Sequence, residues 1–221
     1  MFTFLNNACA QLFEWIFPSV CGYCKKIFST KQIFCSDCLA LISPIISAPL
    51  VITKTKMLSV LAVSDYEYPL RALVQAKNQS NRSACRQLGT LIWNHTSVRF
   101  AEFDLIVPIP LHWTRYARRW FNQSYEMAQV LSKESGKPLV ELLARTKKTE
   151  WQAGLSREDR QQNVQKVFSL TAQASAFKGA HILLVDDVMT TGSTLESASR
   201  ALLPLRPRSL TAAVACRVIT K

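Results

Sequence analysis

HILLVDDVMTTGSTLES, residues 181–197, passes from an apolar run into two adjacent carboxylates and then into a hydroxylated loop around one glycine. The unbroken apolar stretch predicts a strand over 181–187 that is covered on both faces. Asp186 and Asp187 then fall at its C-terminal end, where open parallel sheets bind their ligands. In the following turn Gly192 allows a tight bend or a close approach to a ligand. Thr190, Thr191, Ser193 and Thr194 add hydroxyl donors. Ser193 and Glu196 have capping-box spacing, so a helix is expected from about Thr194 to Leu203, with Leu195, Ala198 and Leu202 on one face. A helix N-terminus presents unpaired N–H groups that suit a phosphate. Two carboxylates one step earlier suit the hydroxyls of a ribose attached to it. The stretch contains neither G-K-[ST] nor G-x-G-x-x-G, which excludes a Walker A loop and a dinucleotide fingerprint.

Outward from this stretch the pattern alternates. MLSVLAVSDY (57–66), DLIVPIP (104–110) and SLTAAVACRVI (209–219) read as strands. PLRALVQAKN (69–78), RSACRQLGTLIWNHTSV (82–98) and SYEMAQVLSKES (124–135) read as helices. Alternation of this kind predicts an α/β domain with a mainly parallel sheet flanked by helices. Pro44 and Pro49 in ISPIISAPLV mark a linker or a first extended passage into that domain.

Four cysteines precede the linker. Cys21, Cys24, Cys35 and Cys38 form C-x2-C, a ten-residue spacer and C-x2-C. Two such knuckles bring four thiolates to one tetrahedral zinc, and with all four positions filled by protein the metal is structural. The expected organisation is an N-terminal helix and zinc module over 1–50, followed by the larger domain over 51–221. Cys9, Cys85 and Cys216 lie in apolar or amphipathic stretches and read as small core residues.

The N-terminal MFTFLNNACAQLFEWIF lacks a basic start and carries Asn6, Asn7, Gln11 and Glu14, so it fits neither a signal peptide nor a membrane span. Phe4, Leu5, Ala8, Leu12, Trp15 and Ile16 are at helical spacing. A cytoplasmic location is expected, and seven cysteines there argue against a disulfide framework. The 221 residues carry 27 Lys and Arg against 15 Asp and Glu, a formal charge of +12, which favours polyanionic partners.

At ILLVDDVMTTGST the chain resembles the type I phosphoribosyltransferases and their signature for 5-phosphoribosyl 1-pyrophosphate (PRPP). The four-cysteine module, VPIPLHWTRYARRWFNQS and TEWQAGLSREDRQQN narrow the resemblance to the ComF family, which is associated with natural transformation. The resemblance implies a phosphoribosyltransferase-like fold with a small N-terminal zinc-finger module. It implies a cytoplasmic competence protein that handles single-stranded DNA and has a pocket for PRPP with Mg2+. Asp186 and Asp187 would contact the ribose hydroxyls and carry any catalysis, and the loop Val188, Met189, Thr190, Thr191, Gly192, Ser193 and Thr194 would wrap the 5-phosphate. Tyr66, Pro69 and Lys77 resemble an early family pattern, which would put Lys77 near the pyrophosphate-facing VPIPLHW loop as a candidate contact for pyrophosphate or DNA. Residues 145–168 look like the flexible hood, with Thr149, Gln152, Arg160 and Asn163 in their family places. Trp120 departs from the pattern by standing where the family has glycine. A competence helicase and recombination mediators are partners implied by the family alone.

If the site reacts, pyrophosphate is displaced at the sugar C1, and Arg115, Arg118, Arg119, Lys147, Lys148 and Arg160 are the basic candidates beside it. No residue stands out as general acid or base for an acceptor. The HWTRYARRWFNQS segment has a further reading. Trp113, Tyr116, Trp120 and Phe121 interleave with Arg115, Arg118 and Arg119, with Asn122 and Gln123 following, a pattern that suits stacked bases and backbone phosphates. Core packing for the aromatics and pyrophosphate binding for the arginines fit the same residues. Three functions therefore stay open: DNA handling with a PRPP-type pocket, a phosphoribosyltransferase acting on an unidentified acceptor, and a PRPP-sensing regulatory module.

Overall fold

The structure is a computed structural model that describes residues 19–28, 32–76, 81–111, 121–145 and 167–218, without the side chains of 46–48. The cysteine region comes first. Strand β1 (Ser19–Val20) pairs antiparallel with β2 (Ile27–Phe28), and a single helical turn, α1 (Ser36–Leu39), carries Cys38. The chain then forms a hairpin of β3 (Ile45–Thr53) and β4 (Lys56–Asp65). Pro49 has no N–H to donate, and β3 accommodates it as a sheet-edge strand whose register shifts between Ser47 and Leu50. The proline-marked passage is thus a strand, and residue 50 lies inside it.

Helices α2 (Leu70–Ala76) and α3 (Arg82–His95) lead to β5 (Leu105–Pro108). Then follow α4 (Gln123–Ser135), the short pair β6 (Leu143–Arg145) and β7 (Phe168–Leu170), β8 (His181–Met189), α5 (Ser193–Leu202) and β9 (Ser209–Arg217). The main sheet has the order β3-β4-β9-β8-β5. Pairs β4–β9, β9–β8 and β8–β5 are parallel, and only β3 is antiparallel. The α/β expectation holds.

Side chains alternate across this sheet with the two-residue period of a strand, and both faces are covered. Val63, Ile106, Leu183, Val185, Ala213 and Ala215 meet α2, α3 and α4 on one face. Val60, Ala62, Leu105, Leu184, Ala212 and Val214 meet Leu195, Ala198 and Leu202 of α5 on the other. Helices α3 and α4 approach closely through Gly89, where a Cβ would stand 2.9 Å from the Met127 carbonyl oxygen. Among the described residues the cysteine module has no separate core. Cys21, Phe34, Cys35, Cys38 and Ile42 pack into the cluster that covers the first face.

Two helix boundaries differ from expectation. Helix α3 ends at His95, because the Thr96 hydroxyl donates to Ile92 O (2.7 Å) and accepts from Val98 N (3.2 Å), which starts a 3-10 turn over Ser97–Phe100. Helix α5 is capped by Gly192, not by Ser193. With Gly192 at the cap, Ser193 is the first helical residue and Glu196 falls one place beyond the N3 position a capping box needs; the Glu196 carboxylate instead accepts from Arg200 at 2.8 and 3.1 Å. Among the described residues no helix is long and apolar enough to cross a membrane.

Candidate functional site

Strand β8 runs past the expected 187, through Val188 and Met189, because β9 is long enough to pair with both (Val188↔Cys216, Met189↔Arg217). Asp186 and Asp187 therefore sit in the last stretch of the strand. The backbone N–H of Ile109, just after β5, donates to Val185 O (3.0 Å) and brings the end of β5 alongside.

The start of α4 completes this corner. Asn122 donates from Nδ2 to Ile109 O (3.0 Å), while its Oδ1 accepts from Ser124 N (3.1 Å) as the helix cap. One residue thus ties α4 to the end of β5 and satisfies an orphan N–H. Ser124 is thereby placed to donate its hydroxyl to Asp186 Oδ1 (3.0 Å), which also accepts from Asp187 N (2.9 Å). Sequence reading missed Ser124. Its signal was the small hydroxyl two places after a capping asparagine in FNQS. Gln123 is 1% exposed, and its Nε2 has no partner among the described residues. Glu126, also buried, pairs with Arg86 at 2.9 Å and Arg82 at 3.7 Å, and lines with them a cleft of about 370 Å3 that reaches Phe121, Asn122 and Tyr125.

The hydroxyl loop lies beyond Met189. Thr190, Thr191, Ser193 and Thr194 are exposed, and Gly192 is buried. Gly192 has φ +79°, a left-handed conformation that L side chains rarely adopt. A Cβ at this position would lie 2.8 Å from Leu50 Cδ1, so the loop rests on β3. Thr191 Oγ1 donates to Ser193 Oγ (3.1 Å) and accepts from Ser193 N (3.4 Å). The exposed first turn of α5 thus presents N–H groups and hydroxyls on the side where an anion is favoured. At the same end of the sheet Arg217 Nε donates to Asp65 Oδ1 (3.1 Å), and Tyr66 N donates to Arg217 O (2.7 Å). Arg71 lies over the rings of Tyr66 and Tyr68, at 5.5 and 5.6 Å.

Cys21, Cys24, Cys35 and Cys38 come together with all four sulfurs within 4.8 Å of one another. Four thiolates at ~2.3 Å from one ion have sulfurs ~3.8 Å apart, and the Cys24–Cys35 pair already stands at 3.6 Å. Burial pushes the Cys21 thiol up, but the backbone N–H groups of Cys35, Tyr23 and Cys24 outweigh it and bring it down to about 6. Burial, reinforced by the other three cysteines, raises Cys38 to about 12. A cluster that gives up one proton easily and keeps another this firmly is stable as four thiolates only around a cation. The donor set fits a metal. Cys85 and Cys216 are buried in the core.

Lys77, Trp113, Arg115, Tyr116, Arg118, Arg119, Trp120, Lys147, Lys148, Thr149, Gln152, Arg160 and Asn163 lie outside the described residues, as does the expected N-terminal helix with Cys9. The ends of the expected hood are described. Strands β6 and β7 pair antiparallel, with Arg145 opposite Phe168, so the chain leaves and returns at one place.

A mainly parallel sheet in which β8, between β9 and β5, carries two aspartates near its C-terminal end and leads into a hydroxyl loop defines a phosphoribosyltransferase-type domain, and residues 122–221 match the family model of the phosphoribosyl transferase domain. The chain is 32% identical over 211 residues to competence protein F of Haemophilus influenzae, covering 90% of this chain and 86% of that one. It is 30% identical over 198 residues to DNA utilization protein YhgH of Escherichia coli K12 (83% and 84% covered). It is 35% identical over 102 residues to competence protein ComFC of Bacillus subtilis (45% and 38% covered). The chain belongs to this ComF family. Among solved structures, 60% of the chain overlays 26% of the glutamine PRPP amidotransferase of B. subtilis at 18% identity and a TM-score of 0.45, too loose a likeness to carry weight.

Proposed function

We propose that this chain is a cytoplasmic competence protein that handles incoming single-stranded DNA and binds PRPP with Mg2+ at the end of β8. The observation that carries the pocket is the sequence of groups at that strand end: Asp186 held by Ser124, Asp187 beside it, then an exposed hydroxyl loop leading into α5. In this reading the two carboxylates bind the ribose hydroxyls, and the loop from Val188 to Thr194 holds the 5-phosphate. Ser124 and the Asp187 N–H fix the Asp186 carboxylate in advance, so little order is lost on binding. Mg2+ neutralises the pyrophosphate when that ligand is bound. The cysteine cluster holds structural zinc.

DNA handling is supported by the net charge of +12, the arginine–aromatic segment ending in Phe121 and Asn122, and the names of the relatives. Asn122 connects the two roles, because the residue that ends that segment also caps α4 and sets Ser124 against Asp186. The test is a titration of single-stranded DNA against the wild type, Asp186→Asn/Asp187→Asn and Arg118→Ala/Arg119→Ala, each with and without Mg-PRPP. The reading predicts salt-sensitive affinity that the arginine variant weakens, and PRPP binding that the aspartate variant loses. Salt-insensitive or absent DNA affinity would refute it. Pyrophosphate release that depends on one acceptor and is lost in Asp187→Asn would establish a transferase instead.

A further inference from the structure

The opposite end of the sheet holds five cations that the pocket does not use. Lys54, Lys178, Arg206 and Arg208 are exposed, and Lys56 is half-buried. Among the described residues no carboxylate pairs with any of them.

They sit on three separate segments that hydrogen bonds lock together. In the β3–β4 turn Thr53 Oγ1 accepts from Lys56 N (3.1 Å) and Thr55 N (3.3 Å), fixing Lys54 at the tip. Lys56 Nζ then crosses to the start of β9 and donates to Pro207 O (2.9 Å) and Arg208 O (3.3 Å). The loop 205–208 is pinned to residues 178–180 by Gly179 N to Leu205 O (2.9 Å) and Arg208 N to Ala180 O (3.1 Å). Asp104 and Glu102 adjoin this end, but His181 engages both, through its backbone N–H (2.8 Å) and Nε2 (3.4 Å) respectively.

Arg206 adds an independent observation. It adopts φ +49° and ψ +53°, a left-handed conformation suited to glycine or asparagine, and it directly precedes Pro207. Arg206 thus carries a long cationic side chain on a backbone conformation strained for it, and strained residues cluster at functional sites.

We infer that this end of the sheet is a second nucleic-acid contact, a cradle in which Lys54, Lys56, Lys178, Arg206 and Arg208 hold phosphodiester backbone. The inference rests on the DNA-handling reading above and adds a site to it. From His181 to Asp187 along β8 is ~20 Å, so one strand of DNA touching both ends would run along the length of the domain. The partner is read by charge alone. Val51 and Met57 beside the turn are exposed, at 64% and 54%. Two apolar side chains are too little area for a membrane anchor, whose strength scales with buried apolar surface.

The test is fluorescence titration of oligothymidylate of about 40 nucleotides, long enough to span several binding footprints, at several salt concentrations. Each lost phosphate contact should lower the log–log salt slope by ~0.7 and weaken binding about fivefold near 0.1 M salt. Arg206→Gln/Arg208→Gln should therefore bind about 25-fold more weakly, with a slope smaller by ~1.4. Arg206→Gly separates binding from folding: Tm should rise as strain is relieved while DNA affinity falls about fivefold. Unchanged affinity and slope in both variants overturn the inference. Loss in these variants alone, with Arg118→Ala/Arg119→Ala unaffected, upholds the cradle and refutes the arginine–aromatic segment as the DNA site. Loss in Arg118→Ala/Arg119→Ala alone does the reverse. A wild type without salt-dependent affinity sinks both readings. Phosphatidylglycerol vesicles form a parallel arm, and variants that lose vesicle binding but keep DNA binding make the surface a membrane contact and overturn the cradle.

Discussion

Gly192→Ala tests the proposed phosphate loop most directly, because its cost divides into two parts that a second mutation separates. The first is conformational. At φ +79° an alanine pays ~1–2 kcal/mol that glycine does not. The second is steric. The new Cβ would stand 2.8 Å from Leu50 Cδ1 and 3.3 Å from Cδ2, so the leucine tip must move. As the far end of a flexible side chain it yields cheaply, and the overpacking cost falls at the low end of the usual range, ~1 kcal/mol. Gly192→Ala should therefore lose ~2–3 kcal/mol. Leu50→Ala alone should lose ~2 kcal/mol, near the lower limit for leucine truncation because Leu50 is only half-buried. In the double variant the steric part disappears and the conformational part stays, so the combined loss should fall short of the sum by ~1 kcal/mol. Urea denaturation of the four proteins measures this, and calorimetric titration with Mg-PRPP reports whether the loop loses affinity in step. Additivity within ~0.3–0.5 kcal/mol would show that Leu50 and residue 192 do not touch, and would refute the seating of the loop on β3.

Further outcomes follow from other contacts. Ser124→Ala removes a donor to a carboxylate, so Mg-PRPP affinity should fall by about tenfold with ~1 kcal/mol lost in stability; wild-type affinity would mean Asp186 needs no such support. Chelation of the zinc proposed for the cysteine cluster should lower the Tm of the whole chain in a single transition, because Cys21, Phe34, Cys35 and Cys38 share a core with α2, α3 and α4. Two separate calorimetric transitions would refute that shared core. Burial, and then Arg99, lowers the His95 pKa, so the folded state takes up this proton less readily than the unfolded chain. The stability held by neutral His95 is thus present above the unfolded value of ~6.5 and is lost as pH falls below it. His95→Gln should flatten the decline of stability between about pH 7 and 5, and an unchanged slope would assign that decline to other groups.

Much of the site was legible because its chemistry is carried by neighbours in sequence. Cys21 and Cys24, Cys35 and Cys38, Asp186 and Asp187, and the Thr190–Thr194 loop are each short-range patterns whose spacing constrains what they can hold. The unbroken run before Asp186 announced a strand covered on both faces, and β8 is such a strand. What escaped were pairings between distant segments. Ser193 and Glu196 had the spacing of a capping box, yet the left-handed Gly192, seated against Leu50 of β3, takes the cap position and leaves both one place too far into the helix. The extent of β8 depended on how far β9 continues beside it, which no local window reveals.

By itself, the sequence determined the alternating α/β layering, the four-thiol cluster and the order of chemical groups around Asp186 and Asp187, because periodicity and spacing act over a few residues. The tertiary structure alone decided that β3 supplies Leu50 beneath Gly192, that Ser124 holds Asp186 from 62 residues away, and that the cysteine module shares the core of the main domain. It also gathered Lys54, Lys178 and Arg206 at one end of the sheet. The physical reason is the same in each case: strand order and register choose which distant side chains meet, and only the folded sheet sets them.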